Sequence, residues 1–156
     1  MMARGIVTAI AAVLILISAD VYAQQVTTKV LTLEEAKTMA DAAEERARQD
    51  NWNVVITIVD AGGHAILLRR MDGTQIGSIE VAQRKAQAAV YYKRPTKAFQ
   101  DEVSGGNYIM MELPGAIPFE GGLPVMDDGR VIGSIGVSGV TAVQDGIIAQ
   151  AGLDAL

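Results

Sequence analysis

The sequence predicts an α/β (α+β) chain in which one antiparallel sheet lies between helical layers. Three observations carry this. "VVITIV" (Val54–Val59) is β-branched at every position, so it reads as a strand buried on both faces, with helices covering both. "DAGG" (Asp60–Gly63) follows it as a hairpin connection into a second apolar run. Two further segments open on a threonine capping box and continue at helical spacing.

Taken in order, residues 1–23 read as a cleaved secretory signal. Arg4 supplies the positive start, Ile6–Ile17 the apolar core and "VYA" the cleavage site. The core is too short to serve as a membrane span, so no stable anchor is expected after cleavage. The remaining 133 of the 156 residues, 24–156, form one domain, destined for the periplasm or secretion. "TLEEAKTMADAAEERARQD" begins with Thr32 and Glu35 as the capping box. Its apolar stripe is Leu33, Ala36, Ala40, Ala43 and Ala47. After the hairpin, His64 begins the return strand "HAILLRRM". "SIEVAQRKAQAAVYYKR" is a second helix with Ile79, Ala82, Ala86 and Ala89 inward, stopped by Pro95. Thr96–Val103 forms a short third helix, and the Gly/Pro-rich stretch to "EGGLP" is a long loop of the kind that carries sites. "RVIGSIGVSG" is a strand whose internal Gly133 and Gly136 mark close approach of another backbone or a ligand. "TAVQDGIIAQAGLDAL" closes the chain as a helix capped by Thr141 and Gln144.

Composition excludes several classes. The chain has no cysteine, so an exported form carries no disulfide framework, thiolate nucleophile or Cys-ligated metal. A net charge of −5 argues against general nucleic-acid binding. His64 is the single histidine, which excludes a multi-histidine metal site within one chain. No dinucleotide fingerprint, Walker loop, zincin motif or nucleophile elbow is present.

"VDAGGHAILLRRMDG", "SIEVAQRKAQAA", "FEGGLPVMDDGRVIGSIGVSG" and "QDGIIAQAGLDAL", in that order, resemble the GlcG/HbpS family of haem-binding-protein-like domains. A similar domain forms the C-terminal part of PduO-type cobalamin adenosyltransferases. The resemblance covers residues 31–156. It implies a profilin-like three-layer sandwich and a homo-oligomer, and for some members haem as ligand. Others lie in glycolate or aromatic catabolism gene clusters.

Against that background, His64 is a candidate axial ligand for haem iron or a general base, the plainer alternative being a residue that only shapes the turn. If no bulge intervenes, His64, Ile66, Leu68 and Arg70 share one face of the strand, giving an imidazole, two aliphatic walls and a guanidinium for propionates. Arg70 could instead pair with Asp72 or Glu80. Met71 is a second soft ligand or a core residue, and Met110 or Met111 could take its place from the long loop. Gly121 and Gly122 offer backbone amides at the opposite lip of a pocket, or form a tight turn. Ser138 and Gly139 precede the last helix, where amides can hold an anion or simply cap it. Asp41, Glu44 and Glu45 read as a solvated acidic face rather than an iron site. The expectation is a haem- or tetrapyrrole-binding protein for scavenging, storage or sensing rather than an enzyme. The alternative is catalysis on a small hydroxy or oxo acid, with His64 as base and Arg70 as carboxylate clamp. A ligand-free structural oligomer is a third reading.

Overall fold

The computed structural model describes residues 27–156; the signal segment and its cleavage site at residues 23–24 lie outside them. Four strands form one antiparallel sheet: β1 (Val55–Asp60), β2 (Ala65–Arg70), β3 (Gly122–Asp127) and β4 (Arg130–Ser138), in the spatial order β2-β1-β4-β3. Helices α1 (Leu33–Gln49) and α4 (Ala142–Leu153) pack together on one face, and α2 (Gly77–Tyr92) covers the other. The three-layer α+β sandwich is therefore the one the sequence predicts. A short α3 (Lys97–Ser104) and a 3-10 turn (Tyr108–Glu112) lie along the long connection into β3.

Local chemistry sets the boundaries. Both capping boxes form: the Thr32 and Thr141 hydroxyls accept the Glu35 and Gln144 backbone N–H, and each of those side chains reaches back to its threonine. In α1 the alanines 36, 40, 43 and 47 are fully buried together with Met39, while Leu33 is half exposed at the first turn and does not join them. Helix α2 stops earlier than Pro95, because Lys93 turns into the left-handed region at φ 51°. The β3–β4 hairpin turns on Asp128 and Gly129, both at positive φ, the geometry that matches strand twist. Pro124 is tolerated in β3 because β3 is an edge strand.

Strand β1 is buried from Val55 to Val59, as a two-sided strand should be. Ile56 and Ile58 join the larger core beneath α1 and α4, whereas Val59 packs with Ala86 and Val90 beneath α2. The α2 face is built from small residues. A Cβ on Gly136 would overlap the Ala82 carbonyl oxygen, and one on Gly122 would overlap the Lys85 carbonyl. Between them the Ser134 hydroxyl donates to the Ala86 carbonyl at 2.6 Å. The backbones of helix and sheet therefore touch, as the strand glycines implied.

Gly136→Ala should cost about 2–3 kcal/mol, because the clash is with backbone that cannot rotate away. A lower urea midpoint at unchanged slope would show it, and a wild-type midpoint would contradict the contact.

Candidate functional site

The residues singled out in the sequence fall at two ends of the sheet. His64 is at one end, on the β1–β2 hairpin. Arg70, Met71, Ser138 and Gly139 are at the other, because Val55 pairs with both Arg70 and Ser138. Gly121 and Gly122 join that second end through the pairing of Gly122 with Gly136.

The hairpin is fixed by Asp60. Its Oδ1 accepts the backbone N–H of Gly62 at 2.8 Å and of His64 at 2.9 Å, and its own N–H donates to the His64 carbonyl at 2.9 Å. The His64 amide is the largest of the influences that hold the Asp60 carboxyl below its usual value. His64 itself is exposed, and its ring has no hydrogen-bond partner among the described residues. Next to it the Tyr91 ring lies against Gly63, leaving no room for a Cβ there, and Gln87 donates to the Gly63 carbonyl at 3.2 Å.

The proposed alignment along β2 does not form. A bulge shifts the register between Ile58 and Val59, so that Leu67 faces Ile58 while Ala65 faces Val59. The extra residue is Ile66. It and Leu67 both pack against the core beneath α1 and α4, so Ile66 is not a wall on a face shared with His64. Six residues of strand, about 20 Å, separate His64 from Arg70, too far for the two to grip one small acid as base and clamp. Arg70 is exposed and, among the described residues, pairs with neither Asp72 nor Glu80. Its neighbour Arg69 points the opposite way and bridges Asp41 at 2.7 Å and Glu44 at 2.9 Å, which accounts for part of the acidic face of α1. Met71 is buried in the core. Among the described residues no cluster of acidic or histidine side chains is arranged to hold a metal ion.

At the opposite end lies a site that the sequence reading missed. Lys85, on the buried side of α2, is 2% exposed at its side chain and donates to Asp145 Oδ2 at 2.7 Å and to the Val137 carbonyl at 2.9 Å. Asp145, 3% exposed, also accepts the Val140 backbone N–H at 3.2 Å, and the neighbouring Gly139 amide favours its charged form. The amides at the start of α4 thus hold an anion, and it is the chain's own carboxylate. Gly121 closes over the pair: a Cβ there would lie 2.9 Å from Lys85 Nζ, and its φ of +124° suits only glycine. The Gly121 carbonyl accepts the Val137 N–H, and Thr96 binds Gly122 through backbone and hydroxyl, at 2.9 Å in each case. A cavity of about 240 Å³ opens beside the pair, lined by Val81, Phe119, Ser138, Val140 and Ala142 among others. Ser138 meets Ser78 at 3.3 Å, and Gln75 donates to Ser78 at 3.1 Å.

Burial pushes the Lys85 ammonium down and the Asp145 carboxyl up, each against the opposing pull of its partner. Desolvation thus outweighs attraction for both groups, which brings their proton affinities together. A signal for Lys85 was present: Ser78, Ala82, Lys85 and Ala89 form one stripe, and a lysine in a stripe of small inward residues requires a buried partner.

An open four-stranded antiparallel sheet between helical layers, with a solvent-facing histidine turn at one end and an internal lysine–carboxylate pair at the other, defines a small α+β domain. The family of haem degrading HbpS-like proteins matches residues 31–154. An uncharacterized 15.0 kDa protein of Citrobacter freundii, from its dhaT-dhaS intergenic region, is 38% identical over 135 residues, 84% of this chain and 94% of that protein. Protein GlcG of Escherichia coli K12 is 36% identical over 109 residues, 70% of this chain and 81% of its own. The crystal structure of a PduOC–haem complex superposes with a TM-score of 0.76 at 36% identity, covering 82% of this chain and 96% of that one. The chain belongs to the GlcG/HbpS family.

Removing one partner of the buried pair, as in Lys85→Met or Asp145→Leu, should cost about 3–5 kcal/mol, because the other charge is left uncompensated. The double variant should recover most of that loss. Denaturant unfolding of the four proteins measures the coupling; additive losses would refute it.

Proposed function

We propose that this is an exported, homo-oligomeric haem-binding protein for scavenging, storage or sensing, with His64 as an axial ligand. The carrying observation is the haem complex of PduOC, a structure that this fold matches across most of both chains. The residues at the hairpin fit such a ligand. The His64 ring is exposed and unengaged, Asp60 fixes the turn that presents it, and the Tyr91 ring stands beside the turn. Bound haem would supply the iron chemistry, and the chain supplies its position.

The surroundings support association of copies. Tyr92 donates to the Pro114 carbonyl at 2.6 Å, and Tyr91 lies 3.5 Å from a Cβ built on Gly115, so the long loop is held at the same end of α2 as His64. That loop exposes Tyr108, Ile109 and Met111, and Tyr91 is half exposed as well. A patch of this kind is suited to burial against a second copy, which would give the haem an apolar enclosure that a single exposed turn does not.

Haemin titration of the protein tests the reading. His64→Ala should weaken binding by more than tenfold, about 1.4 kcal/mol, and shift the Soret band. Arg70→Ala should leave haemin affinity unchanged, since Arg70 lies about 20 Å along the strand from His64, at the other end of the sheet. Unchanged haemin affinity in His64→Ala would reject His64 as ligand.

Export rests on residues 1–23, and no helix among the described residues is long and apolar enough to cross a membrane. Mass spectrometry of the protein recovered outside the cytoplasm should give an N-terminus at Gln24, and light scattering at least a dimer. Retention of the whole chain in the cytoplasm, or a clean monomer mass, would overturn the respective part.

A further inference from the structure

We propose that the cavity beside Lys85 and Asp145 is a reactive-amine site, where Lys85 condenses reversibly with the carbonyl group of a small uncharged aldehyde or ketone. The inference is independent of the haem reading, which concerns the opposite end of the sheet.

The geometry supports each part. Lys85 and Asp145 both contribute to the cavity wall, with the amine 2.7 Å from the carboxylate. An ammonium has three N–H bonds, and Lys85 commits two of them, to Asp145 and to the Val137 carbonyl. A cavity of about 240 Å³ holds a molecule of a few heavy atoms. Its charge selects among such molecules. The pair is neutral as a whole, and Glu120 lies near enough to Lys85 to add negative potential. An anionic ligand would face two carboxylates and a cation would face the ammonium, whereas an uncharged carbonyl compound meets neither penalty. Val81, Phe119, Val140 and Ala142 supply apolar walls, and Ser138 and Gln75 supply polar groups for the carbonyl oxygen.

The chemistry closes without a further reactant. Asp145 takes a proton from the Lys85 ammonium, and the free amine attacks the carbonyl carbon. Asp145 returns that proton to the carbonyl oxygen, then carries a second from nitrogen to oxygen, and the C–O bond breaks to release water. Nitrogen keeps its third proton, so the product is a protonated imine whose positive charge replaces the original ammonium beside the Asp145 carboxylate. The charge of the site is the same before and after, so the buried surroundings need not reorganise. Burial favours the first transfer, since it lowers the lysine and raises the aspartate.

Reductive trapping tests this. The full chain is incubated at neutral pH with propionaldehyde and sodium cyanoborohydride, and the labelled lysines are located by peptide mass spectrometry. Lys85 should gain a propyl group faster than any of Lys29, Lys37, Lys93 and Lys97, since burial lowers its proton affinity and so raises its free-amine fraction. Ala142→Phe fills the cavity and leaves both Lys85 and Asp145 in the chain. It should suppress labelling of Lys85 and leave the other four lysines unchanged, with a thermal melt confirming that it folds. Labelling of those four with Lys85 silent in the wild type would overturn the proposal, as would undiminished labelling of Lys85 in a folded Ala142→Phe. Haemin affinity of the same samples separates this result from any failure at His64.

Discussion

Where α2 crosses β4 and β3, backbone meets backbone. The carbonyls of Ala82 and Lys85 occupy the space that side chains at positions 136 and 122 would need. This close approach depends on both sides. Helix α2 contributes Ser78, Ala82, Ala86 and Ala89, and the sheet contributes two glycines and the serines 134 and 138. Small residues bury little apolar area each, so this face cannot rest on large hydrophobic side chains as the α1–α4 face does. It relies on dispersion between close surfaces and on hydrogen bonds such as that from Ser134 to the Ala86 carbonyl. One added methyl group at the crossing would push the helix away along its length.

The same closeness dictates the electrostatics. A helix this near the sheet leaves the Lys85 side chain only 2% exposed, so its charge must be met inside. Asp145 meets it from α4 across the end of β4, and the amides of Gly139 and Val140 meet the Asp145 charge in turn. The pair consequently links the two helical layers around the sheet end. Its cost is visible in both groups, because desolvation dominates the direction in which each is pushed. A leucine and a methionine of similar volume would avoid that cost. Packing alone therefore gives no reason for a lysine at position 85, whereas the amine site proposed for the adjoining cavity would.

Much of the fold was legible because it rests on local signals. The capping boxes at Thr32 and Thr141, the two-sided strand at Val54–Val59 and the close approach at Gly136 each follow from a few neighbouring residues. What was illegible depends on register or on long-range pairing. The bulge at Ile66 carries no local mark, since an inserted isoleucine looks like any other strand residue, and it undid the face that His64 and Arg70 were expected to share. The start of β3 was read as loop because Gly121, Gly122 and Pro124 are turn formers, although "DDG" between two apolar runs does mark the β3–β4 hairpin. The Lys85–Asp145 contact spans 60 residues, and the alternation of α2 could indicate only that Lys85 faced inward. Leu33 illustrates the opposite error: it fits the stripe of α1 by spacing, yet it belongs to the first turn, ahead of the part of the helix that the core covers.

The separation of the two sites has a mechanical consequence. Coupling between distant sites needs an element with two arrangements that each ligand biases differently. The element joining these sites is β1, which runs from the His64 hairpin to the partner of Ser138. It is buried along nearly its whole length and hydrogen-bonded on both sides, so a shift of one residue would turn its core face toward α2. Such a strand transmits position but has no second state to populate. The hairpin at one end can vary with its ligand while the ion pair at the other stays fixed. The two proposed chemistries, an exposed imidazole for a large planar ligand and a buried amine for a small one, would thus share a domain of this size without either altering the affinity of the other.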